Sequence, residues 1–584
     1  MSARPSRSEA GLLLAYLRPE RARLLVLGCV LLVSTLAPVA GPVLLGYAID
    51  AALRGEPSSD LVAIAMAFLG VTVGSDILQV LVTWKSVDLA WRVGNRLRLD
   101  LCRHALRLDL DWHGRHSPGL LIERLDGDVE AIVTFSSAAV IQVLGNLLLL
   151  VGVLIVSIVI DWRAGLLIAA SALAAGFVMV RMRSFAVPAH DAERDIQSQL
   201  YGDLEERLGG LEDLRANGAG EYAVHRLREH SHRWWHAARH AGLRGDGAYV
   251  VAATAFTIGS VLTLALGIWL HREAGLSIGA LLALFRFSQM VRQPIERIAE
   301  QMNELQKALA GARRAGRLLA TEPSLPDGRG VPIPAGPLAV DLDDVAFAYE
   351  GDSDVLVDLD LHLAPGTVLG VVGRTGSGKS TLGRLLARLW DVTAGSVRLG
   401  GTDVRDADTG DLRRRVAVVS QDVELLRASL RDNLTFFDAV PATDDQLWAA
   451  LTDVGLAAWA AGLPNGLDTV LGDDDGLSAG QSQLLAFARV LLADPGLVLL
   501  DEATSRLDPD TEQRLTEASE RVLAGRTVVI IAHRLATLDR VDEVLVLDRG
   551  KVLEHGRRAD LVADEASHFA RLLTVSASAR GSLA

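Results

Sequence analysis

At 584 residues the chain is too long for one hydrophobic core, and half of its residues are hydrophobic, so two or more domains are expected, one of them apolar. The net charge of −14 argues against nucleic acid as a main partner. Only Cys29 and Cys102 are present, far apart, which excludes a disulfide framework or a cysteine-built zinc site and leaves them as small packers.

The apolar excess lies in the first 320 residues. Arg4, Arg7, Arg18, Arg21 and Arg23 precede the run Leu24 to Val33, which continues beyond a signal-peptide core and reads as a first membrane span. Six apolar stretches can cross a bilayer, near 24–49, 61–83, 138–160, 164–181, 247–270 and 276–293. Pro38 and Pro42 predict a kink in the first. The connections alternate between short ones and two long arginine-bearing ones. The excess of arginine in the long loops assigns both loops and both termini to the cytoplasm, with the protein in the cell membrane.

The long loops keep a helical pattern, so helices two to five are expected to run on into the cytoplasm. Their tips, near 112–124 and 200–210, fit either short helices that dock on a soluble domain or solvated connectors. Asp76 and Gln79 fall inside the second span; Asp76 fits either a cavity wall or a hydrated place near the inner interface. Arg286, Gln289 and Gln293 share one face of the sixth span, which predicts a face toward a cavity or the bundle interior, with Pro294 free to permit bending.

Residues 321–337 hold five prolines and several glycines and read as an extended, irregular linker between a membrane domain (1–320) and a soluble one (338–584). From Leu338 short β-rich runs alternate with helical ones, the pattern of an α/β domain with a mostly parallel sheet. Its organising stretch is Gly373-Arg374-Thr375-Gly376-Ser377-Gly378-Lys379-Ser380-Thr381, between an apolar strand and a helical segment. The glycines let backbone N–H groups curl round a phosphate, Lys379 brings a point charge to the outer phosphates, and Ser380 offers a hydroxyl to Mg²⁺. Lysine occurs elsewhere only at Lys85, Lys307 and Lys551; arginine is the usual cation. A nucleoside triphosphate is therefore the expected ligand.

Further strand ends carry chemistry. Leu497 to Leu500 leads into Asp501 and Glu502, one carboxylate for Mg²⁺ and one to orient an attacking water. Val529 to Ala532 leads into His533, and Val418 to Ser420 into Gln421. Leu477-Ser478-Ala479-Gly480-Gln481 opens a helix whose free N–H groups form a second anion site. Two phosphate cradles on one domain imply a dimer in which the second closes on the partner's nucleotide.

As a set these residues resemble the nucleotide-binding domain of ABC transporters, and the full length resembles an exporter-type half-transporter. The resemblance implies an all-α membrane domain of six transmembrane helices with long cytoplasmic extensions, followed by an α/β P-loop NTPase domain. It implies ATP and Mg²⁺, with Gly373 to Thr381 as the Walker A loop and Asp501 closing Walker B. Glu502 matches the catalytic glutamate, His533 the switch histidine, Gln421 the Q-loop glutamine and Tyr349 the adenine-stacking aromatic. Ser505 to Asp508 looks like the D-loop, Ser478, Gly480 and Gln481 belong to the signature, and the loop tips look like coupling helices.

Ala479 departs from the signature, where the family has glycine. Ser482-Gln483-Leu484 also replace the usual charged residues, and the preceding loop is acidic and short. Altered signatures in this family often occur in heterodimers with one weakened ATP site, so a second half-transporter chain is the expected partner, a heterodimer favoured over a homodimer. The expected function is ATP-driven export of a lipid, drug or peptide-like substrate. Import of a metal chelate on the same scaffold, or an ATP-gated channel or regulatory ATPase, are the alternatives.

Overall fold

The computed structural model describes residues 11, 15–136, 140–349, 354–421, 423–472, 477–501, 509–532 and 535–581. The chain divides into two compact units, Met1–Arg107 with His116–Glu322, and Leu108–Arg115 with Pro323–Ala584.

The first unit is helical. Among the described residues five segments are long and apolar enough to cross a membrane: Ala15–Leu53, Ser58–Ala105, Gln142–Ile160, Trp162–Gly209 and Gly220–Ala274. The first is interrupted as its prolines dictate: α1 (Arg21–Leu36) passes through a tight turn at Ala37–Val39 into α2 (Ala40–Leu53). The helices α3 (Ser58–Ala105) and α5 (Trp162–Gly209) have 48 residues each, and α6 (Gly220–Ala274) has 55. At 1.5 Å per residue each is about 70 Å or longer, over twice a hydrocarbon core. Between α3 and α5 the third span is α4 (Val140–Ile160).

The sixth apolar stretch is broken in two, α7 (Ile278–Met290) and α8 (Arg292–Ala320). Pro294 has no N–H to offer the Met290 carbonyl, so the i→i−4 ladder fails where the bend sits. Glycines let α7 approach α2 closely: a Cβ at Gly279 would fall 2.0 Å from the Gly46 carbonyl oxygen. Asp50 Oδ1 accepts the Gly279 N–H at 2.8 Å there. Phe287 and Ser288 are buried while Arg286, Gln289 and Gln293 are exposed. The polar face thus turns away from this chain's own bundle, because Phe287 occupies the inner side.

The first loop tip holds short helices, one of the two forms the sequence allows, whereas the second differs in extent. Tyr201 to Leu208 remain in α5, which runs on through Pro188 and Gly202 as far as Gly209; the short helix beyond is Leu211–Ala216. In the first loop a short helix at Leu110–Arg115 precedes a new one at Pro118–Ile122, started by Ser117, whose side chain accepts from the Leu120 N–H. Further on, the helix Asp128–Thr134 packs against α8. Asp128 is 2 % exposed, and Arg314 Nε donates to both its carboxylate oxygens at 3.0 Å.

The second unit holds two sheets. The antiparallel one has the order β2 (Leu356–Leu363), β1 (Val340–Phe347), β4 (Ala394–Leu399), β5 (Thr402–Asp403). The other runs β10 (Lys551–Arg557), β9 (Glu543–Asp548), β3 (Val368–Gly373), β8 (Thr527–Ile531), β7 (Leu497–Asp501), β6 (Val416–Val419). All its neighbours are parallel except β10 with β9. Its central strands are apolar throughout, as strands covered on both faces must be.

The proline-rich segment is irregular but anchored. Val331 N–H donates to Asp406 O and Val331 O accepts from Asp408 N–H, both at 3.0 Å. Ile333 is buried in the core, and its N–H donates to Asp411 Oδ2 at 2.8 Å. Upstream, Ser324 N–H donates to Asp109 and Arg388 to the Pro326 carbonyl, so from Pro323 the segment is part of the soluble unit.

Two expectations follow. The Ile333 N–H, then Arg414, holds the Asp411 carboxyl below its ordinary range. A depressed folded pKa adds stability above about pH 4 that is lost in stronger acid. The hydrogen-exchange protection factor of the Ile333 amide should be high at pH 7 and drop as pH falls below about 4, whereas in Asp411→Ala it should be low at both. Arg314→Ala leaves a buried carboxylate unpaired, costing about 3 kcal/mol. It should lower the melting temperature of the detergent-solubilised protein, and adding Asp128→Asn should recover most of the loss.

Candidate functional site

The site is built on strand ends. β3, β8, β7 and β6 are parallel, so their C-terminal ends share one edge. Register aligns Val371 with Ile531, Ile531 with Asp501, and Val419 with Leu500. The glycine-rich loop, Ala532, Asp501 and Gln421 therefore leave the sheet side by side, where open α/β sheets bind ligands. His533, Glu502 and Asp508 lie outside the described residues.

The loop turns sharply into α9 (Lys379–Leu386), whose N-cap Gly378 has φ +99°. A Cβ at Gly373 would fall 2.2 Å from the Leu547 carbonyl oxygen, and one at Gly378 2.5 Å from Leu356 Cδ2. Glycine is thus required by close approach to β9 and β2. Arg374, Thr375 and Gly376 are exposed, whereas Ser377 and Lys379 are buried. Lys379 Nζ lies across the loop, donating to the carbonyls of Gly373 at 2.7 Å and Arg374 at 3.1 Å. The Ser377 hydroxyl is buried without a hydrogen-bond partner among the described residues. Ser380 is half-buried in the first turn of α9 and Thr381 buried. A cavity of about 760 Å³ opens beside Arg374, Thr375 and Lys379, with Ala532 and the end of β9 on its other walls. Ser380, Asp501 and Gln421 are all oxygen donors, the set a hard divalent cation accepts.

Tyr349 follows β1. Its hydroxyl is 3.2 Å from Thr381 Oγ1 and accepts from Arg384 at 3.1 Å. Phe347 and Trp390 hold the ring edge-on, and Arg384 covers Trp390. Arg384 and Trp390 escaped the sequence reading; their only signal is a cation and a large aromatic one and three turns beyond the loop.

The second cradle is the N-terminus of α11 (Ala479–Ala493), the next helix labelled after α10 (Leu430–Thr435). Ser478 Oγ accepts the Gln481 N–H at 3.2 Å, and Gln481 Oε1 accepts the Ser478 N–H at 2.9 Å, a reciprocal capping box. Ser478 and Ala479 are exposed and Gly480 is buried. Ala479 thus places its methyl on the open rim of the helix start and makes that start stiffer than glycine would. Arg489, also missed from sequence, ties α11 to α10. It donates to the Asn433 carbonyl at 2.7 Å and stacks on Phe436 at 4.5 Å, and burial pushes its guanidinium below its ordinary pKa.

Residues 24–295 match the family model described as the ABC transporter transmembrane region, and residues 356–505 the model described as ABC transporter. The chain is 31% identical to an ATP-dependent lipid A-core flippase of Chromohalobacter salexigens, over 84% of each chain. It is 27% identical to an uncharacterized ABC transporter ATP-binding protein of Bacillus subtilis, over 94% of this chain and 91% of that one. A multidrug efflux ATP-binding/permease protein of Mycobacterium bovis is 32% identical over 92% of this chain, which spans 45% of that protein. In fold it superposes on a bacterial Atm1-family ABC exporter with ATP bound, with a TM-score of 0.78 at 23% identity over 95% of this chain and 98% of that one. The chain therefore belongs to the ABC transporter family, as an exporter-type half-transporter in which a membrane-embedded, multi-pass helical region and an ATP-hydrolysing domain share one polypeptide.

Proposed function

We propose that the chain exports an amphiphilic lipid, drug or peptide-like substrate, and that a second half-transporter completes both its pathway and its ATP sites. The observation that carries this is the pair of anion-suited ends on one domain: the loop after β3 and the capped start of α11. They belong to different helices and strands, so a nucleotide seated in the first calls for the second from another chain. The exposed Arg286, Gln289 and Gln293 fit the same reading, as a polar face lining a pathway that the partner closes. The relatives named for lipid A-core and for multidrug efflux favour an amphiphile.

In this account the backbone of Gly373 to Gly378 wraps the phosphates, Lys379 swings from its loop carbonyls to the outer phosphates, and Thr381 closes the first turn. The unpartnered Ser377 hydroxyl supports an anionic occupant. Ser380, Asp501 and Gln421 would hold Mg²⁺, which neutralises charge on the β- and γ-phosphates when bound. Tyr349 offers its ring to adenine. Ser478, Gly480 and Gln481 receive the partner's γ-phosphate, with Asp508 at the same interface. Glu502 takes a proton from the attacking water as its oxygen bonds to the γ-phosphorus and the bond to the β-bridging oxygen breaks; His533 stabilises the transferred group. Closure draws together short helices such as Leu110–Arg115 and Leu211–Ala216 and turns the spans outward. The arginine-bearing loops favour a cell membrane with both termini and the ATPase domain in the cytoplasm.

Glu502→Gln should bind ATP normally and hydrolyse it at least about 100-fold more slowly; near-normal turnover sinks the assignment of Glu502. Ala479 favours a heterodimer, because it alters the cradle this chain offers its partner while the chain's own loop is intact. Expressed alone and purified in detergent, the chain should show little ATPase activity, and Ala479→Gly should raise it. A stable, fully active homodimer of the unaltered chain contradicts the heterodimer.

A further inference from the structure

A cavity of about 650 Å³ lies among α5, α6 and α8, in the size range of small-molecule sites. Its walls come from 179–194, 245–252 and 296–307, in the middle of α5 and α6 and the first half of α8, just beyond or at the end of the apolar stretches. We infer that this cavity binds a small zwitterionic amphiphile, with its anionic group on α5 and its cationic group on α8; under the exporter reading, on which this rests, that ligand is the substrate.

The charges are sorted by wall. From α5, Arg183, His190 and Arg194 line the cavity with Asp191 between them, a balance that is cationic. From α8, Glu296 and Glu300 line it against Lys307, a balance that is anionic. Several of these charges are committed within the chain: Glu296 pairs with Arg292 at 2.7 Å, Lys307 with Glu304 at 2.7 Å, and Arg183 donates to the Ala299 carbonyl. Among the described residues Arg183, Asp191, Arg194 and Glu300 take part in no ion pair, so the α5 wall keeps a surplus of one cation, with Arg183 already on a carbonyl and Asp191 one turn before Arg194, and the α8 wall keeps one anion, Glu300. A purely cationic ligand would meet Arg194 and a purely anionic one Glu300; a zwitterion satisfies both.

The third wall is apolar. Ala248, Tyr249 and Ala252 of α6 line it, and Arg292 fixes the Tyr249 ring by donating to its hydroxyl at 2.6 Å. Gly245 keeps room beside His190, since a Cβ there would fall 3.1 Å from His190 Nε2. Pro188 lies inside α5 on this stretch, removing one backbone hydrogen bond where the helix borders the cavity.

The test uses the full chain with its partner in lipid nanodiscs and vesicles. The probe is alanyl-phenylalanyl-alanine with free termini, compared with its N-acetylated and C-amidated forms, which share one apolar body and differ only in terminal charge. Equilibrium binding should favour the zwitterion over either capped form by about tenfold. Glu300→Gln should weaken the free and amidated peptides and spare the acetylated one. Arg194→Gln should weaken the free and acetylated peptides and spare the amidated one. Gly245→Val should weaken all three, and Glu300→Asp and Arg194→Lys should largely restore binding, which separates recognition from misfolding. Equal binding of the three peptides, no saturable binding of any, or indifference to both charge removals overturns the inference. The charge-sorted binding pattern without ATP-driven uptake into inside-out vesicles would leave the site standing and overturn the exporter reading. Uptake of the zwitterion unaffected by either variant would do the reverse.

Discussion

The glycine-rich turn after β3 is the constraint on which the rest depends. Its backbone passes so close to Leu547 of β9 and Leu356 of β2 that no side chain fits at Gly373 or Gly378. That closeness brings Lys379 back over its own loop, buried yet hydrogen-bonded. A buried ammonium without such acceptors would cost several kcal/mol. The loop carbonyls of Gly373 and Arg374 therefore hold the lysine in place across its own loop.

The polypeptide passes between its two units at Arg107–Leu108, Arg115–His116 and Glu322–Pro323. Hydrogen bonds bind the strands of chain on each side of these passages. Within the helical unit, His104 meets the Thr321 carbonyl at 2.9 Å. Within the soluble unit, Asp109 accepts from Ser324 and Leu325. The end of α3 and the end of α8 are thus tied together on both sides of the passage. Further along, Asp406, Asp411 and buried Ile333 hold the segment to the soluble core.

Much of this was legible in the amino-acid sequence because it rests on local chemistry. The loop at Gly373, the strand ending in Asp501 and the start at Ser478 each declare themselves by residue type and spacing. Pro38 and Pro42 marked the first interruption correctly, since a missing N–H acts within one turn. What was not legible depends on distant partners. The anchoring of the proline-rich segment requires Asp406 and Asp411, some eighty residues away. The outward turn of Arg286 follows from Phe287 occupying the inner side. The second loop tip was legible only in outline, because charged helical sequence carries little mark of where a long helix ends; Gly209-Gly210 carries it there, as Ser117-Pro118 marks the helix start in the first loop. Arg489 and Trp390 act through contacts that no local pattern announces.

The central claim is that nucleotide held at Lys379 is completed by the signature of another chain. Hydrogen exchange at 477–482, measured in Glu502→Gln with and without Mg–ATP, tests it most directly. The account predicts that ATP slows exchange there in the assembled dimer and leaves it unchanged in the dissociated single chain. Equal protection in the single chain, or none in the dimer, would contradict it.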